Sequence, residues 1–194
     1  MKKKILLLLA EGFEFYEASV FIDVMGWNFT VGDRSTKLVT CGVTKEVNST
    51  FNQRMTVDET LDGIDIPSFD ALAIPGGFKG YGFYQCAYSD PFLEVIRAFD
   101  AQRKLIASVC VGSLPIGKSG ILENREATVY QREGGIYQRA LAAFGATVVD
   151  APIAEDGNII TARDPGSGAD VAFRLLERLT CRKNMERVRH EMGF

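Results

Sequence analysis

The chain has 194 residues, of which 46% are hydrophobic and 24% charged; this size and composition are typical of one globular domain. The 22 Lys and Arg residues and 25 Asp and Glu residues give a formal net charge of -3, which predicts no binding to nucleic acid and no attraction to an anionic membrane surface. His190 is the single histidine, so His-rich zinc sites and HExxH hydrolases are excluded. We expect one domain over residues 1–194, with residues 182–194 as a basic, helical C-terminal tail.

The cysteines and the N-terminal segment indicate the cellular compartment. No two cysteines form a CxxC pair, so we expect free thiols in a reducing environment. Residues 5–10 form an apolar run after three lysines, but the run is shorter than the ~7–15 residues of a signal peptide, and Glu11 follows where a cleavage site would lie. No apolar run approaches the ~20 residues of a membrane span. The sequence predicts a cytoplasmic protein whose thiols are Cys41, Cys86, Cys110 and Cys181.

Apolar runs of strand length alternate with helical patterns along the chain. Continuous apolar runs are typical of strands that are buried on both faces of a parallel sheet. In chain order we predict a strand at 5–10, a helix at 17–27, an edge strand and hairpin within 36–44 and 47–55, a strand at 71–75, a helix at 91–102, a strand at 105–109, a helix at 135–144, a strand at 159–162, a helix at 169–180 and a solvated terminal helix at 182–189. The alternation predicts an α/β fold with helices on both faces of the sheet, in which ligands bind beyond the carboxyl ends of the strands.

A cysteine follows the strand at 105–109. Cys110 lies in a turn of small residues between that strand and a helical segment, which is the arrangement of a nucleophile elbow. A thiol at a helix N-terminus would be stabilised as thiolate. A plain buried cysteine is the alternative, because that is the commoner fate of the residue.

Glycines follow the strand at 71–75. Backbone N–H groups of Gly76 and Gly77, together with that of Val111 after the cysteine, would form an oxyanion site. The segment lacks the residue order of a phosphate-binding loop. A flexible glycine turn without a binding role is the alternative.

Carboxylates follow the first strand, and Glu17 opens the next helix. Burial beside a thiolate would raise the pKa of Glu17, so that it would carry a proton and act as general acid and base. The alternative is an acidic residue that only complements the helix dipole.

Four motifs in this order resemble those of the DJ-1/PfpI (ThiJ) superfamily, in its DJ-1-like branch. They are A-x-G-x-E-x-x-E at 10–17, P-G-G at 75–77, A-S-V-C-V-G at 107–112 and D-G-N-I-I-T-A-R-D-P-G at 156–166, and the resemblance covers residues 3–179. It implies a flavodoxin-like three-layer α/β sandwich with a mostly parallel central sheet, usually a homodimer. It also implies a reactive cysteine at Cys110, an acidic partner at Glu17 and backbone donors at Gly76, Gly77 and Val111.

The chain departs from the superfamily pattern at both histidine positions. Peptidase-like members carry a histidine directly after the nucleophile, where this chain has Val111, and glyoxalase-type members often carry one at a T-x-H position, where this chain has Tyr130. We expect His190, in the charged tail, to be exposed. Peptidase and glutamine amidotransferase activities are therefore disfavoured, because both need a histidine beside the cysteine.

The superfamily includes glyoxalase III-type enzymes, deglycases, isonitrile hydratases, chaperones and oxidative-stress sensors, so the fold does not settle the function. We expect Cys110 and Glu17 to act on a small reactive aldehyde, or on a glycated thiol or amine, without cofactor or metal. A non-enzymatic redox sensor or chaperone that uses the same thiol is the rival, and a pure binding module is a third hypothesis. Expected neighbours of the site are Tyr130, Arg163 and an aromatic cover of Phe78, Tyr81, Phe83 and Tyr84.

Overall fold

The computed structural model of the chain describes residues 2–194, and these residues form eleven strands and seven α-helices. The strands are β1 (Lys3–Leu9), β2 (Thr36–Gly42), β3 (Glu46–Asn48), β4 (Arg54–Thr56), β5 (Glu59–Thr60), β6 (Ala71–Ile74), β7 (Leu105–Val109), β8 (Glu126–Ala127), β9 (Thr147–Val148), β10 (Ile153–Asp156) and β11 (Ile159–Ala162). The helices are α1 (Phe15–Val31), α2 (Phe83–Ala87), α3 (Asp90–Ala101), α4 (Ser113–Lys118), α5 (Ile136–Ala143), α6 (Gly168–Leu179) and α7 (Arg182–Glu191).

Seven strands form the main sheet in the order β10-β11-β7-β6-β1-β2-β5. All neighbouring pairs are parallel except β10 and β11, which are antiparallel. Strand β1, which lies between β6 and β2, buries its residues 5–9 completely, as expected for a strand covered on both faces. The predicted α/β fold with a mostly parallel central sheet is confirmed.

Helices cover the sheet in two layers. Helix α6 packs on β7 and β11 and also against α1 and α7, whereas α3 packs on β6 and β7 and against α4. Helix α6 has a strongly amphipathic sequence, in which Val171, Phe173 and Leu176 are buried, which explains why it folds against a parallel sheet and not as an isolated helix.

The structure adds elements that the sequence patterns did not indicate. Strands β5, β8 and β9 contain two residues each, too few to show a periodicity. The predicted hairpin is present as β3 and β4, but it forms a separate two-stranded sheet, whereas β2 pairs with β1 over its whole length. The terminal helix α7 is only partly solvated, because Asn184 and Val188 are buried.

Candidate functional site

The cysteine elbow lies directly after β7, at the carboxyl edge of the sheet. Cys110 has a φ of 57°, a left-handed conformation that costs a non-glycine residue free energy and persists only where the surroundings enforce it. Residues Cys110–Gly112 form a 3-10 turn that leads into α4. The turn presses on the end of β6, where a Cβ on Gly112 would lie 2.7 Å from the carbonyl oxygen of Ile74. The elbow is therefore held by its packing against the neighbouring strand.

Two serines on either side of the elbow form a hydrogen bond with each other. Ser108 is the residue at which the sequence departs from the glycine common in such turns, and its hydroxyl lies 3.0 Å from that of Ser113, with both residues fully buried. This hydrogen bond joins the end of β7 to the start of α4. It satisfies two hydroxyl groups that would otherwise be buried without partners.

Glu17 reaches the cysteine from the first turn of α1. Its side chain is 1% exposed, its Oε2 atom accepts a hydrogen bond of 2.6 Å from the Gly76 amide, and it is close enough to Cys110 for each group to shift the other's pKa. The structure thus brings together three residues from β7, α1 and the loop after β6 that lie far apart in the sequence. Their meeting point is the carboxyl edge of the parallel strands, as the α/β rule predicts.

Burial sets the protonation of the pair. Loss of solvation raises the pKa of Glu17 to about 8, against the lowering effect of its hydrogen bonds from Gly76 and Cys110, so the carboxyl group carries a proton at neutral pH. Burial also raises the pKa of the Cys110 thiol, and the nearby Glu17 carboxylate raises it further, whereas the Val111 amide lowers it. The resting site therefore holds an uncharged thiol beside a neutral carboxylic acid.

The three predicted backbone donors have different surroundings. The Gly76 amide is occupied by Glu17, and a Cβ on Gly76 would lie 3.0 Å from the Val111 nitrogen, so the two segments touch. The Val111 amide donates to the Cys110 sulfur. Gly77 forms an antiparallel bridge with Phe13 in which Phe78 and Glu14 make the flanking hydrogen bonds, so the Gly77 amide points away from Phe13.

Two further residues that the motif analysis did not single out influence the cysteine. The Asp164 carboxylate raises the pKa of both Cys110 and Glu17 by its negative charge. The half-buried Tyr84 of α2 interacts electrostatically with Cys110 and shares a hydrogen bond with Tyr137. Asp164 is part of the D-P-G segment of the fourth motif, so the sequence could have indicated its position near the cysteine. Tyr84 was expected only as one residue of the aromatic cover.

The other expected neighbours have mainly structural contacts. Arg163 forms ion pairs of 3.2 Å with Asp150 and with Asp164, which is the structural role that its position at a strand end suggested. The Tyr130 ring lies 5.8 Å from that of Tyr137. Within the expected aromatic cover Phe83 is fully buried, whereas Phe78 and Tyr81 are exposed and contact a third aromatic ring, that of Phe51.

The described part of the chain also shows the surroundings of the histidine and the cysteines. His190 is exposed on α7. Over residues 2–194 no cluster of three or more His, Cys, Asp or Glu side chains is arranged to hold a metal ion. No helix within the same range has the length and apolar character to cross a bilayer. All four cysteines are free thiols.

Comparison with known proteins places the chain in a family. It matches the model of the DJ-1/PfpI family over residues 3–178. It is 31% identical to Protein DJ-1 homolog B of Arabidopsis thaliana over 182 residues, 91% of this chain and 38% of that protein. It is 33% identical to isonitrile hydratase of Pseudomonas putida over 115 residues, 59% of this chain and 47% of that protein.

The chain thus spans less than half the length of either relative. Among solved structures, the crystal structure of Drosophila melanogaster DJ-1beta superimposes with a TM-score of 0.86 at 23% identity and covers 99% of this chain and 98% of that one. The family model matches nearly the whole chain, and the chain belongs to the DJ-1/PfpI family.

Proposed function

We propose that the protein converts small α-oxoaldehydes into hydroxy acids, with Cys110 as the nucleophile and Glu17 as the proton carrier. The observation that carries the proposal is the buried Glu17 carboxyl group at the cysteine elbow: the Cβ position of Gly76 lies 2.9 Å from Glu17 Oε2 and 3.0 Å from the Val111 nitrogen, and Glu17 and Cys110 each shift the other's pKa. Because the pKa of Glu17 is about 8 and burial holds that of Cys110 higher, the first proton leaves Glu17; its carboxylate then accepts the thiol proton as the sulfur attacks, and becomes the general acid.

The reaction balances with water as the only co-reactant. The thiolate adds to the aldehyde carbon of methylglyoxal, and Glu17 protonates the new oxygen to give a hemithioacetal. A proton then leaves the former aldehyde carbon, and a proton is added to the neighbouring carbonyl carbon through an enediol, so that the first carbon is oxidised to a thioester and the second is reduced to an alcohol. Water cleaves the thioester, which releases lactate and the thiol.

The same residues favour an aldehyde over an amide substrate. Amide hydrolysis needs a group that protonates the leaving amine and later activates water, and the exposed His190 on α7 is the only imidazole in the sequence. Addition to an aldehyde expels no amine, so one carboxyl group is sufficient for the proton transfers of the addition and the rearrangement, and the same group then activates the water that cleaves the thioester. The amides of Val111 and Gly77 are the candidates for stabilising the oxyanion.

The assignment is tested by the conversion of methylglyoxal to lactate. Cys110→Ala is expected to abolish turnover, and Glu17→Gln is expected to lower kcat by about 10²-fold or more, the usual effect of removing a general acid–base. Cys181→Ala, which removes an exposed thiol, is the matched control and keeps wild-type turnover. Equal lactate formation by the wild type and Cys110→Ala would show that the assignment is wrong.

Redox sensing is the second candidate, because the same thiol lies beside a protonated carboxyl group and backbone donors that would hold an oxidised sulfur. Intact-mass measurement after mild peroxide treatment separates the two functions. A gain of two oxygens confined to Cys110, in a protein that turns over no aldehyde, would support sensing over catalysis.

A further inference from the structure

A pocket of about 270 Å³ lies beside the elbow. Val109 at the end of β7 pairs with Ala162 at the end of β11, so the next residues, Cys110 and Arg163, leave neighbouring strands that lie ~4.8 Å apart. Asp164 faces the pocket and acts electrostatically on Cys110. The pocket therefore lies at the end of the strand next to the one that carries the cysteine elbow. Its lining residues are Tyr130, Gln131, Arg132, Arg163 and Asp164.

Two of the three charged lining residues neutralise each other. Arg163 donates from Nε to Asp164 and from Nη1 to Asp150, both at 3.2 Å, and its Nη1 atom lies 3.5 Å from the Gln131 side-chain oxygen. The other carboxylate oxygen of Asp164 accepts two hydrogen bonds from Ser167, at 3.1 and 3.0 Å. The positive charge of Arg163 is therefore shared between two carboxylates, and Asp164 is held by fixed donors.

Arg132 differs from its neighbours. It is exposed, it lines the same pocket, and it has no ion-pair partner among the residues whose side chains the structure describes. An arginine guanidinium presents a fork of donors that matches a carboxylate in two parallel hydrogen bonds. A cation that has no counterion among the described side chains is suited to the charged end of a substrate.

We propose that this pocket binds the carboxylate of an α-oxoaldehyde whose aldehyde carbon bonds to Cys110, and that Arg132 is the residue that holds this carboxylate. The inference rests on the proposed function of Cys110. Two methylene groups between the reacting carbonyls and the carboxylate span about one strand spacing, the separation of β7 from β11, after which Cys110 and the pocket residue Arg163 follow. The substrate class is therefore a short oxoaldehyde acid such as 4,5-dioxopentanoate, whose product in this reaction is 2-hydroxyglutarate.

Binding without turnover tests the subsite separately from the chemistry. Calorimetric titration of 2-hydroxyglutarate into the full chain carrying Cys110→Ala gives the reference Kd. Adding Arg132→Gln is expected to raise Kd by about tenfold or more, the effect of losing a hydrogen bond to a charged group. Arg139→Gln is the matched control, since Arg139 is exposed, donates to the Gly134 carbonyl and does not line this pocket; it leaves Kd within about twofold of the reference.

Kinetics on the protein with Cys110 intact supply the second readout. Arg132→Gln is expected to lower the ratio of kcat/KM for 4,5-dioxopentanoate to that for methylglyoxal by about tenfold, whereas Arg139→Gln leaves the ratio unchanged. Equal effects of the two arginine substitutions on Kd, or no binding of 2-hydroxyglutarate to the reference protein, would overturn the subsite. If Arg132→Gln weakens binding and the wild type turns over neither aldehyde, the subsite stands and the proposed catalysis fails.

Discussion

At the scale of single residues, the Cys110 and Glu17 pair links catalysis to burial. Both groups are removed from water, so each is stabilised in its uncharged form. The nucleophile is therefore generated by loss of a proton from the pair and not by a positively charged neighbour. This arrangement affects both the rate of the reaction and the stability of the fold, and we expect the two to depend on pH in opposite directions.

The rate is expected to follow the first ionisation of the pair. Because burial raises the pKa of Glu17 to about 8, kcat/KM for methylglyoxal should rise with pH and level off above about 8. Glu17→Gln removes that titration, so its residual activity should rise only at the higher pH at which Cys110 itself ionises. A profile in the wild type that is flat from pH 6 to 9 would contradict the raised pKa.

The stability is expected to have the opposite dependence. The pKa of Glu17 is about 8 in the folded chain and near 4.5 in the unfolded chain, so the folded state keeps a proton that the unfolded state loses between these values. Stability from this group is complete below pH 4.5 and is lost as pH rises toward 8, by at most ~1.4 kcal/mol per pH unit.

Glu17→Gln retains the shape of the side chain without the ionisation. Its gain in free energy of unfolding over the wild type should therefore increase between pH 5 and pH 8, as measured by urea titration at each pH. Asp23→Asn, at an exposed position of the same helix, is the control and should show no such increase. A constant difference between Glu17→Gln and the wild type would refute the linkage.

At the scale of elements, the loop after β6 shows how closely the segments of the site approach one another. A Cβ on Gly76 would lie 2.9 Å from the Glu17 carboxylate and 3.0 Å from the Val111 amide, whereas a Cβ on Gly80, in the same loop, meets nothing within 4 Å. Gly76→Ala is expected to separate Glu17 from the elbow and to lower kcat by about tenfold or more. Gly80→Ala should keep wild-type activity and thermal midpoint, so comparison of the pair isolates the contact; equal activity of both variants would show that the loop is free to move.

The long elements were predictable because their signals are local. The continuous apolar runs of β7 and β11 matched the observed bounds, and α3 and α6 differed by one residue at each end. Strand β10 was not predicted, because it is a four-residue edge strand that is defined by its antiparallel pairing with β11. Short edge strands are stabilised by tertiary contacts with distant residues, and a short stretch of sequence carries no information about those contacts.

The same distinction applies to the candidate site. Cys110 was identifiable because it directly follows a strand with a clear apolar signal, and Glu17 because it lies in the first turn of the helix after another such strand. The electrostatic influence of Asp164 on Cys110 depends on the register between β7 and β11, which the sequence does not state. The position of Tyr84 depends on how α2 packs, and the short helix has no pattern that indicates which side faces the elbow.

At the scale of the whole molecule, α7 is joined to the rest of the protein through a buried polar network. The Asn184 side chain donates to the Asn28 side-chain oxygen at 2.7 Å and accepts from the Asp33 amide at 2.8 Å. We propose that the whole chain unfolds as one domain that includes α7. Asn184→Ala is then expected to lower the free energy of unfolding by about 2–3 kcal/mol, because it leaves buried polar groups unpaired.

Two probes measure that cooperativity. The fluorescence of Trp27 in α1 and the far-ultraviolet circular dichroism of the whole chain should give one coincident transition, shifted equally by Asn184→Ala. Arg187→Ala, at an exposed position of α7, is the control and should leave the free energy of unfolding within about 0.5 kcal/mol of the wild-type value. A separate early transition would show that α7 unfolds independently.

The pairing of β7 with β11 also affects how the chain matures during synthesis. Val109 pairs with Ala162, so a ribosome must release most of the chain before the strand beside the elbow is complete. Domains with such long-range parallel contacts fold slowly, and the hairpin of β10 and β11 is the one adjacent pair in the main sheet that can form locally. Until β11 docks, the Cys110 thiol of a nascent chain is not yet buried and can react with oxidants and aldehydes.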